Sequence, residues 1–187
     1  MKKSLILVLV FALTACCSPT PNFYQPTAVS EAEISYPNFK KTVLIKQVLL
    51  PAEAARPQIT TLGKEDFELK IDEFNRWGAA PEKLIARTIA QNLNVYLPKA
   101  TIERQTPLKK NYQYAVMVEI SSLSGRLDDY AALEAVYFIQ NRAGNVIKSG
   151  TMSEKRAING DYEAYIPAQS GLLGTLSAQI AADLAKL

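Results

Sequence analysis

The sequence predicts an α+β domain, a mixed or mostly antiparallel sheet with two amphipathic helices packed on one face. Three observations predict it. Two segments place apolar residues at threes and fours, the period of a helix face. Several others alternate, or run apolar over strand length. The order is strand, strand, helix, strand, hairpin, helix, and two apolar helix faces laid on one sheet bury all of these stripes.

The elements follow in order. Thr42–Leu50 is rich in Val, Ile and Leu and stops at Pro51, as a buried strand does. Asp66–Asp72 alternates, with Phe67, Leu69 and Ile71 on one face and Glu68 and Lys70 on the other. Residues 80–97 are helical. Pro81 suits the first turn, Glu82 complements the dipole, and Ile85, Ile89, Leu93 and Leu97 form the stripe. Pro98 ends it. Tyr112–Ile120 alternates again, and Tyr130–Gln140 with Val146–Arg156 forms a hairpin around residues 141–145. Tyr162–Leu187 is helical, with a bend or restart expected at Pro167. Gly171, Gly174, Ala178, Ala181 and Ala182 make that helix small-sided, for close approach either to the sheet or to a partner's helix.

Ahead of these elements stands a leader. Met1-Lys2-Lys3 is basic, and Leu5–Ala12 is apolar but far shorter than the ~20 residues of a spanning helix. This is the pattern of a secretory signal. Leu13-Thr14-Ala15-Cys16 then resembles the bacterial lipobox, L-[AST]-[GA]-C. Residues 1–15 are therefore expected to be removed and Cys16 to carry lipid. Its thiol takes a diacylglyceryl group, and its freed amine can take a third chain. A single chain holds a protein only marginally, whereas two or three make attachment stable. Cutting before Cys17 would put Cys16 at the −1 position, where Gly or Ala is usual. With Cys16 acylated, Cys17 has no partner in the chain, so no internal disulfide is expected. The residue after Cys16 is not Asp, which resembles sorting to the outer membrane. Residues 16–40 hold Pro19, Pro21, Pro26 and Pro37 and read as a lipidated tether, shortened if Phe23 and Tyr24 pack as a first strand. Residues 41–187 make the domain.

Composition limits the chemistry. Without the leader the chain has 19 basic and 18 acidic side chains, so nothing in its charge points to nucleic acid. There is no histidine, which removes Ser-His-Asp and Cys-His catalysis and the commonest transition-metal ligand. No Walker loop, G-x-G-x-x-G or G-x-S-x-G occurs, so no cofactor is expected. Asp128 and Asp129 are adjacent, which suits a solvated turn better than two acids converging on a substrate. The nine tyrosines need partners for their hydroxyls. Trp77, Tyr130, Tyr137, Tyr162 and Tyr165 are the candidate partner-binding residues, with edge core as the alternative.

The chain resembles the ABC-type transport auxiliary lipoproteins, the PqiC/YmbA-like group. The resemblance rests on Cys16, the pair Phe23-Tyr24, the strand Val43–Leu50 closed by Pro51, and Trp77 ahead of a helix through Leu84, Ile89, Leu93 and Leu97. It ends with Gly160-Asp161-Tyr162 opening a helix that runs through Leu176 and Ile180 to Leu184. It implies a non-enzymatic accessory beneath the outer membrane, working with an MCE-domain protein and an inner-membrane ABC permease in lipid transport between membranes. Ring-forming partners further imply a matching homo-oligomer. The alternatives are a lipoprotein that assembles or plugs an outer-membrane β-barrel, and an enzyme using Asp128 and Asp129.

Overall fold

The structure, a computed structural model, describes residues 19–104 and 111–187. The leader, Cys16 and Cys17 lie outside the described residues. The elements are β1 (Asn22–Tyr24), β2 (Thr42–Leu49), β3 (Gln58–Leu62), β4 (Leu69–Trp77), α1 (Pro81–Tyr96), β5 (Thr101–Arg104), β6 (Tyr114–Arg126), β7 (Tyr130–Asn141), β8 (Val146–Ala157) and α2 (Tyr162–Leu184).

The α+β class and the helical layer are as expected. The sheet is not single. A five-stranded sheet in the order β5-β2-β6-β7-β8 carries the helices, and a three-stranded sheet, β1-β4-β3, stands beside it. In the larger sheet β2 runs parallel to β5 and β6, and β6, β7 and β8 form an antiparallel meander. β3 and β5 are strands that periodicity does not reveal. β3 (QITTL) buries Thr60 and Thr61, which read as polar, and the Thr60 hydroxyl donates to the Glu53 carbonyl at 2.8 Å. β5 has four residues, too few to show alternation, and its partner β2 is remote in sequence.

Both helices form for local reasons and stay for tertiary ones. α1 begins with Pro81 and buries Leu84, Ile85, Ile89 and Leu93. Asp161 caps α2 by accepting from the Glu163 N–H at 3.0 Å. α2 runs unbroken through Pro167, where a restart is one expectation. Pro167 is exposed near the first turns, so its missing donor leaves a carbonyl within reach of water. Leu172, Leu173, Leu176, Ile180 and Leu184 seat the helix on the core formed with Val116, Leu133 and Ile139. These burials supply most of the stabilisation, at ~25 cal/mol per Å² of apolar surface removed from water.

The stretch expected as a tether through residue 40 is, in its described part, mostly a strap. Apolar and backbone groups dock it. β1 adds to β4 in parallel, Pro26 is buried beside Thr88, and Phe39 lies in the core. The Thr27 N–H donates to Ser170 Oγ at 3.1 Å, and the Tyr36 N–H to the Tyr96 carbonyl at 2.7 Å. Asn92, fully buried, accepts from the Val29 N–H at 2.9 Å and donates to Ser177 Oγ at 3.1 Å. One side chain thus joins strap, α1 and α2. This also accounts for part of the small side of α2. Val29 Cγ1 sits 2.8 Å from where a Cβ on Gly174 would stand, so it is the chain's own strap that makes this close approach.

Candidate anchoring and docking surface

The five aromatic candidates fall into two groups. Trp77, Tyr137, Tyr162 and Tyr165 are buried, at 7%, 3%, 7% and 1% exposure. Tyr130 is half-buried at the end of the meander, with Lys155 Nζ 4.5 Å and Arg126 Cζ 5.9 Å from its ring centre. Of the five, Tyr130 is therefore the one whose side chain reaches the surface substantially.

The buried tyrosines are held by acids and amides far away in sequence. The Tyr162 hydroxyl donates to Asp72 Oδ2 at 3.1 Å, fastening the start of α2 to the small sheet. The Tyr137 hydroxyl donates to Asp183 Oδ2 at 2.7 Å, fastening the end of α2 to β7. Between them, Gln169 donates to the Ser124 and Ala132 carbonyls and to the Tyr165 hydroxyl. Burial and the facing carboxylates push the Tyr137 and Tyr162 hydroxyls far above their ordinary range. They remain neutral donors at every physiological pH, which suits fasteners and not proton-transfer groups.

Burial alone would push the Asp183 carboxyl up. The Tyr137 hydroxyl, Lys186 and Lys148 together outweigh it and hold the group below its ordinary 3.8. A lowered folded value means the stabilisation is full above the ordinary carboxylate range and is lost as pH falls through that lowered value. Tyr137→Phe is expected to cost about 1.5–3 kcal/mol at pH 7, the scale of a hydrogen bond to a charged group. The difference from the parent protein is expected to narrow below about pH 4. Urea unfolding at pH 7 and at pH 3 measures both effects.

Asp128 and Asp129 serve the β6–β7 turn. The Asp128 N–H donates to the Gly160 carbonyl at 2.7 Å, and the Gly160 N–H returns a bond to Asp128 Oδ1 at 3.0 Å. Asp129 instead pairs with Arg126 at 3.0 Å. The two acids thus hold different partners. Among the described residues, no group of three or more His, Cys, Asp or Glu side chains is placed to hold a metal ion, and no helix is long and apolar enough to cross a membrane.

One surface feature contradicts what alternation ordinarily means. Phe67, Leu69, Ile71 and Phe74 are 87%, 52%, 45% and 44% exposed. The alternation of Phe67, Leu69 and Ile71 is visible in the sequence, but their exposure is not, because an apolar face gives the same pattern whether or not the chain itself covers it.

The geometry defines a two-layer α+β domain with a docked N-terminal strap and tyrosines used as internal fasteners. Residues 24–181 match the family model of the ABC-type transport auxiliary lipoprotein component, and the chain belongs to that family. Among solved structures it is similar to an uncharacterized protein, with a TM-score of 0.67 and 18% identity over 90% of this chain and 98% of that one. It is also similar to a Xanthomonas campestris protein of family DUF330, with a TM-score of 0.70 and 14% identity over 85% of this chain and 92% of that one. A PelC dodecamer from Paraburkholderia phytofirmans matches at a TM-score of 0.45 and 12% identity, over 86% and 94% of the two chains. At these identities the first two likenesses concern the fold. No curated protein matches the sequence.

Proposed function

We propose that this protein is an outer-membrane lipoprotein, acylated on Cys16 and facing the periplasm, that acts as a non-enzymatic adaptor of an MCE/ABC-type system carrying lipid between the two membranes. The observation that carries the reading is the family match beginning at Tyr24, eight residues after the lipobox cysteine. Anchor and auxiliary domain thus occur together in one short chain. Acyl chains hold the domain at one membrane. The domain grips the far end of the transport assembly, and the energy comes from the partner permease. Confinement raises the local concentration of domain and partner, so a weak contact suffices. A homo-oligomer would match a ring-shaped partner by symmetry.

A photo-crosslinking amino acid at Ile147, exposed near the β7–β8 turn, tests the reading in intact cells. The expected product joins this chain to an MCE-domain protein or a permease component. A product containing only an outer-membrane β-barrel protein would overturn it in favour of a barrel-assembly role.

A further inference from the structure

The exposed apolar residues of the small sheet call for a partner, and the position of the anchor identifies one. Leu69 and Ile71, two residues apart, lie on one face of β4, and Ile71 and Phe74 line one depression with Leu127, its rim carrying Lys70, Asp72 and Glu73. Phe67 stands in the turn between β3 and β4. Four exposed large apolar residues within eight positions of one hairpin mark an interaction surface.

The turn is held in a fixed pose. The Gly63 N–H donates to the Glu68 carbonyl at 2.8 Å, and the Lys64 N–H to Glu68 Oε2 at 3.0 Å. Arg126 Nε donates to the Gly63 carbonyl at 2.6 Å, and Arg126 pairs with Asp66 at 2.8 Å. The patch is thereby fastened to the end of the main sheet.

Chain length then decides what can meet it. Cys16 precedes Asn22 by six residues, at most about 20 Å of extended chain. β1 pairs with β4 in parallel, Asn22 opposite Asn75 and Tyr24 opposite Trp77. The chain therefore arrives at β1 from the side where β4 begins, which is the side of Phe67 and Leu69. Asn75 lies eight residues beyond Phe67 in the chain, about 27 Å if extended. Anchor and patch are within reach of the same bilayer surface. The turn between β7 and β8 is remote from it, because β7 runs twelve residues from its Tyr130 end, where Arg126 holds the patch, to Asn141.

We propose that Phe67, Leu69, Ile71 and Phe74 rest in the interface of the bilayer that holds the acylated Cys16, so that the domain is oriented on the membrane as well as tied to it. This rests on the anchoring reading given above. Apolar and aromatic side chains partition into the interface without needing net charge. Orientation leaves the far ends of the long strands, with Val146 and Ile147, directed away from the lipid.

The test uses the full acylated protein, purified from membranes and reconstituted in vesicles of phosphatidylethanolamine and phosphatidylglycerol. Part of the lipid carries bromine on its acyl chains. Phe67→Trp and Ile147→Trp are compared after subtracting the parent signal from Trp77. Both sites are exposed, so neither substitution disturbs the core. The expected result is a loss of about twofold or more in emission from the tryptophan at position 67, and little change at position 147. Equal quenching at both sites, or none at either while mass spectrometry shows Cys16 acylated, overturns the oriented contact and leaves the anchor standing. Protection of position 67 from aqueous iodide without quenching by brominated lipid also overturns it, because protein then covers the patch. Absence of acyl mass on Cys16 overturns the anchoring reading itself and the contact with it.

Discussion

Replacing Cys16 with alanine is expected to remove the protein from the outer membrane while leaving its fold unchanged. The expectation follows from where stability resides. The described core is built from residues 24–184, and the earliest described contacts begin at β1. That core is formed among the described residues, which begin at residue 19, after the cysteine. On the anchoring proposed above, removing the acceptor thiol removes two or three acyl chains, each methylene contributing about 0.8 kcal/mol of membrane affinity. What remains is the apolar patch around Phe67, whose contact is far weaker than the acyl chains. Fractionation of cells expressing the Cys16→Ala protein is expected to find most of it outside the outer membrane or held with its leader uncut. Its far-ultraviolet circular dichroism and its unfolding midpoint are expected to match those of the parent. A variant that stays in the outer membrane at parental levels would mean that another element holds it there.

The largest expected loss of stability is at Gly125. This residue has a φ of +156°, near the end of β6. A Cβ there would fall on the Tyr130 carbonyl, 2.9 Å from Ala131 Cα and 2.8 Å from the Tyr165 ring. None of these neighbours can step aside cheaply. Tyr130 and Ala131 belong to β7 in the antiparallel ladder, and Tyr165 is 1% exposed. The Tyr165 hydroxyl accepts from Gln169, which also bonds the Ser124 and Ala132 carbonyls, so displacing the ring would strain the seam between α2 and the main sheet. Gly125→Ala is expected to cost about 3 kcal/mol or more, the upper part of the overpacking range. For a chain of this size that lowers the melting temperature by roughly 6–12 °C. Thermal unfolding followed by circular dichroism measures it. A cost under about 1 kcal/mol would show that β7 and Tyr165 yield more easily than their packing implies.

What could be read from the sequence, and what could not, divides by range. Local signals placed β2 against Pro51, α1 between Pro81 and Pro98, and the β7–β8 hairpin around residues 141–145. Each is set by neighbours within a few positions. β3 was hidden because Thr60 and Thr61 carry no apolar signal, and β5 because it has only four residues and its partner β2 is remote in sequence. The division into two sheets was hidden for the same reasons. The fates of Tyr137 and Tyr162 turned on Asp183 and Asp72, 46 and 90 positions away, which no periodicity can pair. Of the candidate site, the anchor motif and the Phe67-Leu69-Ile71 alternation were visible. Which side of that alternation faces water is decided by the placement of the hairpin against Arg126, a contact 60 residues apart in the chain.

Intact mass spectrometry of the protein purified from its native envelope addresses the anchored-adaptor account most directly. The account predicts a mature chain that begins at Cys16 and carries the mass of a diacylglyceryl group, with or without a third acyl chain. A chain that begins at Met1, or one cut near residue 16 but bearing no lipid mass, would contradict it.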